Sequence, residues 1–246
     1  PSTFVVHPIP ILTYHQVAVA PPKGAAYRSL YVAPRDFLRQ MTLLKWLGYR
    51  GVSMTELQPY LTGERAGKVV GITFDDGYLN NLTHALPVLQ RFGFSSTCYA
   101  VSQRLGASNI WDEPVGILQT DLMTGSELAQ WVAGGQEVGA HTQHHVHLTA
   151  IDTNLAQTEI ALCKTELEVA CGQPVNHFCY PYGEYAPVHK EMVRAAGYLT
   201  ATTTQRSRCA PNEDLMALPR VPIVRSTTAL VFLVKILTGY EDRRRL

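Results

Sequence analysis

The chain has 246 residues, 46% hydrophobic and 17% charged, a balance that suits a folded domain with a sizeable core and argues against disorder. A formal charge of +1 removes any global drive toward nucleic acid or acidic membranes. No apolar run approaches the roughly 20 residues that span a bilayer; Ala229–Leu237 is too short, and Lys235 interrupts it.

In chain order, Ile9–Tyr14 reads as a short buried strand that ends at His15, followed by a loop rich in Pro, Gly and Ala through Ala26. Phe37, Met41 and Leu44 stand at helical spacing, with Pro34 near the start and Gly48 past the end. Val69–Phe74 is a buried strand that delivers the chain to Asp75, and Leu82, Leu86 and Leu89 mark a helix closed near Gly93. Phe94–Val101 is another strand. Thr124–Glu127 fits a capping box, opening a helix that stops at Gly134–Gly135, and Gln136–Ala140 then runs into His141. From Asp152 to Ala170 the apolar residues Ala156, Ile160, Cys163, Leu167 and Ala170 step by three and four, with Gly172 as C-terminal cap. Val175–Tyr180 is extended, and a helix at Val188–Ala195 ends at Gly197. Tyr198–Thr203 and Val221–Val224 are the last strands, and a closing helix begins near Thr228.

This alternation predicts an α/β chain of βα units, with a largely parallel sheet and one domain over residues 1–246. Polar groups fall directly after the strands: His15, Asp75–Asp76, His141–His145 and Pro181–Tyr182. In a parallel barrel such positions meet at the carboxyl face, where active sites form. The five cysteines (Cys98, Cys163, Cys171, Cys179, Cys209) include no CxxC pair, so neither a zinc ribbon nor a thioredoxin-like motif is supported. Their odd number leans toward a cytoplasmic, reducing compartment, while a start at Pro1 rather than Met leaves an envelope or secreted location open. The basic run Arg243–Arg245 reads as a solvated tail.

Two clusters carry chemistry. Thr73-Phe74-Asp75-Asp76-Gly77 puts adjacent carboxylates at a strand end, where they repel unless a cation or proton separates them. Neighbours in an extended segment face opposite sides, so one Asp would face a metal and the other the substrate; a surface Asp-Gly turn is the plainer alternative. His141-Thr142-Gln143-His144-His145-Val146-His147 holds four of the nine histidines, and a pair separated by four can converge on one ion; a solvated His-rich loop is its alternative. Together, two imidazoles and a carboxylate make three protein ligands with positions left open, as hydrolytic metal sites require.

TFDDG at 73–77, HTQHH at 141–145 and YPYG at 180–183, in this order, resemble the leading motifs of the polysaccharide deacetylase family (NodB-like, carbohydrate esterase family 4). The resemblance covers about residues 9–225. It implies a distorted (β/α) barrel of about seven strands and a divalent metal, zinc first, with cobalt, nickel, manganese or iron as alternatives. By motif position it implies Asp75 as catalytic base, Asp76, His141 and His145 as ligands, and the Tyr182 N–H as an oxyanion donor.

Two departures stand out. The family's third motif usually carries an Arg where this chain has Cys179, and no histidine follows His189 to serve as the late catalytic acid. Ile11–His15 resembles the opening strand of a circularly permuted branch that includes poly-N-acetylglucosamine deacetylases, which makes His15 the expected acid. Arg220 is the candidate guanidinium beside Asp75, with an ordinary surface ion pair as its alternative. Asn109, Trp111, Asp112 and Tyr182 are candidate sugar contacts, and His144 and His147 are expected behind the ligands or in solvent. The implied activity is N-deacetylation of an N-acetylated glycan. An O-acetyl xylan-type esterase and an impaired glycan-binding barrel are the competing readings. A glycosidase fits poorly, because adjacent carboxylates do not flank a sugar ring.

Overall fold

The computed structural model describes residues 7–246. Its strands are β1 Ile11–Tyr14, β2 Gln16–Val17, β3 Tyr31–Val32, β4 Arg50–Val52, β5 Val69–Asp76, β6 Thr97–Ala100, β7 Glu137–Ala140, β8 His177–Cys179, β9 Thr200–Arg206 and β10 Leu218–Pro222. Its helices are α1 Pro34–Trp46, α2 Met54–Leu61, α3 Leu86–Phe92, α4 Gly125–Ala133, α5 Thr153–Cys171, α6 Pro187–Ala195 and α7 Ala229–Leu237.

Seven parallel strands close on themselves: β1, β10, β9, β8, β7, β6 and β5 are neighbours in that order, and β5 returns to β1 with Ile11 level with Gly71 and Tyr14 level with Phe74. Strand β4 lies on the opposite edge of β5, beside Val69–Gly71, and β6 follows it there beside Thr73–Asp76, so that edge of one long strand serves two partners in succession. The seven-stranded (β/α) barrel expected from the resemblance is the fold observed. Every residue of β5 is buried, which explains its continuous apolar run before the two aspartates.

The helices pack outside through the residues their spacing exposed. Phe37, Met41 and Leu44 of α1 are fully buried. Tyr14, Phe37, Phe74 and Trp131 form a chain of aromatic contacts, with ring centroids 5.1 Å (Tyr14–Phe37), 5.6 Å (Tyr14–Phe74) and 5.7 Å (Phe74–Trp131) apart. The Thr124–Glu127 capping box opens α4 as predicted, and Asp152 caps α5 through the Asn154 and Leu155 N–H groups. On β7, a Cβ at Gly139 would stand 2.4 Å from the Tyr99 ring, so only glycine lets β6 and β7 close there.

The amino end of the barrel is sealed by the first residues of four strands. Thr97 Oγ1 donates to Glu137 Oε1 at 2.7 Å, His177 Nδ1 and Thr200 Oγ1 are 2.7 Å apart, and Thr55 links the His177 ring to Glu137. Burial lowers the His177 pKa, favouring its neutral form within this plug. The chemistry is therefore left to the other end.

Several expected elements shift. β4 and α2 escaped the pattern, because β4 has three residues around Gly51 and α2 carries Pro59. The last strand is Leu218–Pro222 rather than Val221–Val224: Pro219 sits at a register shift against β9, where a missing N–H costs no ladder bond. The five cysteines are all free and buried, and no helix among the described residues is long and apolar enough to cross a membrane.

Candidate active site

The carboxyl ends of β5 and β7 lie two strands apart, with β6 between them. They bring Asp75 and Asp76 to His141, which follows Ala140 directly. The expected alternation of the two aspartates does not hold. Asp76 has φ 80° and Gly77 φ 84°, so the strand leaves its extended course at Asp76, and both carboxylates reach His141. Thr142 (φ 67°), His145 (φ 56°) and Tyr182 (φ 60°) are left-handed too, each at a cost of about 1–3 kcal/mol that surrounding contacts must cover. One such contact is the His145 N–H, which donates to Thr142 Oγ1 at 3.0 Å and closes the loop that turns the second imidazole inward. The two histidines thus converge through a strained loop rather than through one helix face.

Asp76 Oδ1 lies 3.3 Å from His141 Nε2 and 3.2 Å from His145 Nε2, and all three side chains are buried. His141 donates its Nδ1–H to the Cys179 carbonyl at 2.7 Å. Its neutral ring therefore turns a lone pair toward a carboxylate oxygen, which is repulsive without a cation between them. Burial opposes charge on this ring, yet the Cys179 sulfur, Asp76 and Asp75 outweigh it and hold the His141 pKa well above its ordinary value. Burial likewise opposes charge on Asp76, but the two imidazoles keep its carboxyl well below the usual range. Two imidazoles and one ionised carboxylate, dry and convergent, fit a divalent metal of the zinc type. The fixed Nδ1–H of His141 is the second support such a ligand needs. His145 Nδ1 has no partner among the described residues; its ring is held by Trp111, stacked at 4.4 Å, and by the edge of Tyr182 at 4.7 Å.

Asp75 faces a different partner. Arg220 clamps it in fork geometry, Nη1 to Oδ1 at 2.7 Å and Nη2 to Oδ2 at 2.8 Å. The guanidinium also donates from Nε to the Thr203 carbonyl (2.9 Å) and from Nη1 to Thr73 Oγ1 (3.1 Å), and it is almost fully buried. The register shift between β9 and β10 aims it inward, a recurrent use of such irregularities beside reaction centres. A surface ion pair, the alternative for this residue, is excluded. Cys179 Sγ lies 3.3 Å from Arg220 Nη2, so the small thiol leaves room for a guanidinium arriving from β10. Burial pushes the Asp75 carboxyl up, but the charge and hydrogen bonds of Arg220, then the rings of His15 and His141, pull it below its ordinary value. His15 Nε2 stands 3.8 Å from Asp75 Oδ2, and the His15 carbonyl is held by Asn81 Nδ2 at 3.0 Å.

Around this core, Tyr182 is partly exposed, and its backbone N–H has no acceptor among the described residues. Gly183 behind it is obligatory, since a Cβ would fall 2.0 Å from Thr204 Oγ1. His147 stacks on Tyr182 at 3.8 Å and contacts Glu184, while His144 pairs with Glu159 at 2.6 Å; neither reaches the ligand atoms. Asp112 is half-buried, and burial, then the field of Asp76, raises its pKa against the Asn109 hydrogen bond. Asn109 is a correction. It is fully buried and spends its amide on Asp112, the Leu118 carbonyl and the Thr120 N–H, so it staples its loop instead of meeting a sugar.

Two supporting residues were missed in the sequence. Asn81 belongs to the turn after TFDDG. Glu159 lies on the apolar face of α5 between Ala156 and Cys163, and a lone carboxylate on such a stripe was the available signal. Its Oε2 accepts from the His144 N–H at 3.0 Å and so braces the loop between the two inward imidazoles.

Known proteins resemble this chain in sequence and in fold. The polysaccharide deacetylase family model matches residues 62–201. Bacillus subtilis (strain 168) YxkH, whose name assigns it as a polysaccharide deacetylase, is 26% identical over 217 residues, covering 87% of this chain and 71% of that protein. The poly-beta-1,6-N-acetyl-D-glucosamine N-deacetylase of Staphylococcus epidermidis is 21% identical over 227 residues, covering 87% of this chain and 74% of that one. Among solved structures, the Streptococcus pyogenes deacetylase PplD in complex with acetate superposes with a TM-score of 0.81 at 24% identity, covering 94% of this chain and 98% of that chain.

Proposed function

The chain belongs to the polysaccharide deacetylase family, and on that premise we propose that it is a metal-dependent hydrolase removing N-acetyl groups from a polymer that contains N-acetylglucosamine. The observation that carries this reading is the pairing of Asp76 with two imidazoles at 3.2 and 3.3 Å, beside a second carboxylate held by Arg220. The name of the Staphylococcus epidermidis relative supports the choice of sugar.

Asp76, His141 and His145 would hold the divalent ion. Such an ion polarises the acetyl carbonyl and makes a water acidic near neutral pH. The remaining work falls to the chain itself. Asp75, kept ionised by Arg220, takes a proton from the attacking water as its oxygen bonds to the carbonyl carbon. The Tyr182 N–H, which has no acceptor among the described residues, donates to the oxygen that gains charge. Protonated His15 gives its proton to the amide nitrogen, the C–N bond breaks, and acetate and a free amino sugar result. The half-buried Trp111 and exposed Tyr182 offer aromatic faces to the sugar rings.

The direct test is acetate release from N-acetylglucosamine oligomers, poly-N-acetylglucosamine, peptidoglycan and acetylxylan by metal-loaded protein. Turnover of N-acetylated glycans supports the proposal, and release from acetylxylan alone overturns it. His15→Ala should slow amide hydrolysis by about 10²–10⁴-fold with the metal retained. An aryl acetate, whose phenolate departs without a proton, should lose much less. Equal losses on both substrates would remove His15 from the acid role.

A further inference from the structure

A cleft of about 230 Å³ opens between α1 and α7, apart from the residues discussed so far. It belongs to the same end of the barrel. Helix α7 follows β10, the Ile223 N–H donates to the Thr13 carbonyl, and the Arg225 N–H donates to the Ser29 carbonyl. Two residues separate Thr13 from His15 and two separate Ile223 from Arg225, each spanning at most about 7 Å of chain. A glycan a few units long bridges that separation.

The lining of the cleft is rich in donors. The guanidinium of Arg225 has no protein partner among the described residues, and Arg39 makes only a 3.9 Å contact with Asp36. The side chain of Thr228 accepts from the Val231 N–H, which leaves the Ala229 and Leu230 N–H groups, at the positive end of the nine-residue α7, without acceptors among the described residues. Gln40 supplies an independent sign. It is 2% exposed, and its Oε1 accepts from the Tyr14 hydroxyl at 2.7 Å. The opposite end of the amide, Nε2, has no acceptor among the described residues and borders the cleft. That amide end keeps a little contact with solvent, and in the cleft it is a donor that a ligand's acceptor can meet. Against these stands one carboxylate in the lining, that of Asp36, on the Arg39 side.

We propose that this cleft is an anion subsite, and that its occupant is a carboxylate or phosphate carried by the substrate chain a few sugar units from the acetamide under attack. The proposal rests on the deacetylase reading for its substrate and adds a charge preference to it: an acidic N-acetylated glycan over a neutral one.

The test pairs a binding arm with a kinetic arm. Inorganic phosphate and a carboxylate-bearing N-acetylated oligosaccharide are titrated by calorimetry into metal-loaded wild-type protein, Arg225→Ala and Gln40→Met. Both ligands should bind the wild type, and each variant should weaken them by about tenfold, the loss of one charge-assisted or buried hydrogen bond. In turnover, Arg225→Ala should raise KM for the acidic oligosaccharide by a similar factor and leave a neutral oligomer of equal length unchanged. Phosphate should compete with the acidic substrate and spare the neutral one. An unchanged acidic-to-neutral ratio in Arg225→Ala overturns the proposal. So does phosphate binding at Arg225 without competition, which would mark a site for a free anion. The binding arm needs no turnover, so absence of acetate release from every substrate counts against the deacetylase reading alone.

Discussion

Replacing Asp75 by Asn is expected to lower acetate release by about 10²–10⁴-fold while metal content stays at the wild-type level. The reason lies in the division of labour between the adjacent carboxylates. Asp76 is spoken for by His141 and His145, at 3.3 and 3.2 Å, whereas Asp75 has both oxygens on Arg220 and neighbours His15. Asparagine preserves the shape at 75 but cannot take a proton. It also leaves the buried guanidinium of Arg220 without a counter-charge, so the variant should be assayed well below its melting temperature. Metal analysis and acetate release on the same preparation separate the roles. Loss of the ion in Asp75→Asn would place Asp75 among the ligands; near-normal turnover would remove it as base.

Arg220→Met should destabilise the fold by about 3–5 kcal/mol at neutral pH, because it strands a buried carboxylate. The pH dependence carries a definite sign. In the wild type the folded pKa of Asp75 lies below its unfolded value of 3.8. Its contribution to stability is therefore present above about pH 4 and is lost as pH falls through the lower folded value. Without Arg220 the dominant influence is burial, which raises the folded pKa above the unfolded one. The stability gap between the two proteins should then be full at pH 7 and shrink as acid protonates Asp75 in the variant. Urea unfolding at pH 7 and pH 4 reads this out, and the acidic limb of kcat/KM should move to higher pH in parallel. A gap equal at both pH values would contradict the assigned pair.

Arg220 also marks how far the sequence could be read. TFDDG and the His141–His145 cluster announced a carboxylate–imidazole meeting, because strand-final polar residues of a parallel barrel share one face. The departure at Cys179 announced a missing guanidinium, and the structure brings one from β10. What aims it inward, the register shift opposite β9, leaves no pattern beyond two prolines in a strand. The left-handed backbone at Asp76, Thr142 and His145 was equally invisible, since Asp and His take positive φ more often than most residues but still seldom, and Thr rarely does, and the expected alternation of the aspartates failed for that reason. Asn109 was misjudged because a polar residue beside Trp111 looks the same whether it meets a sugar or staples its own loop. The barrel itself was legible from alternating apolar runs and helical spacing; β4 and α2 were lost to their shortness and to Pro59.

The claim beneath all of this is that Asp76, His141 and His145 hold one divalent ion that the reaction requires. The most direct measurement is metal content and acetate release of wild type and His141→Ala after chelation and titration with zinc. One ion per wild-type chain is expected, with activity returning in proportion to it, and His141→Ala should neither retain the ion nor regain activity at the same zinc concentration. Undiminished acetate release by chelated wild-type protein, or stoichiometric zinc in His141→Ala, would contradict it.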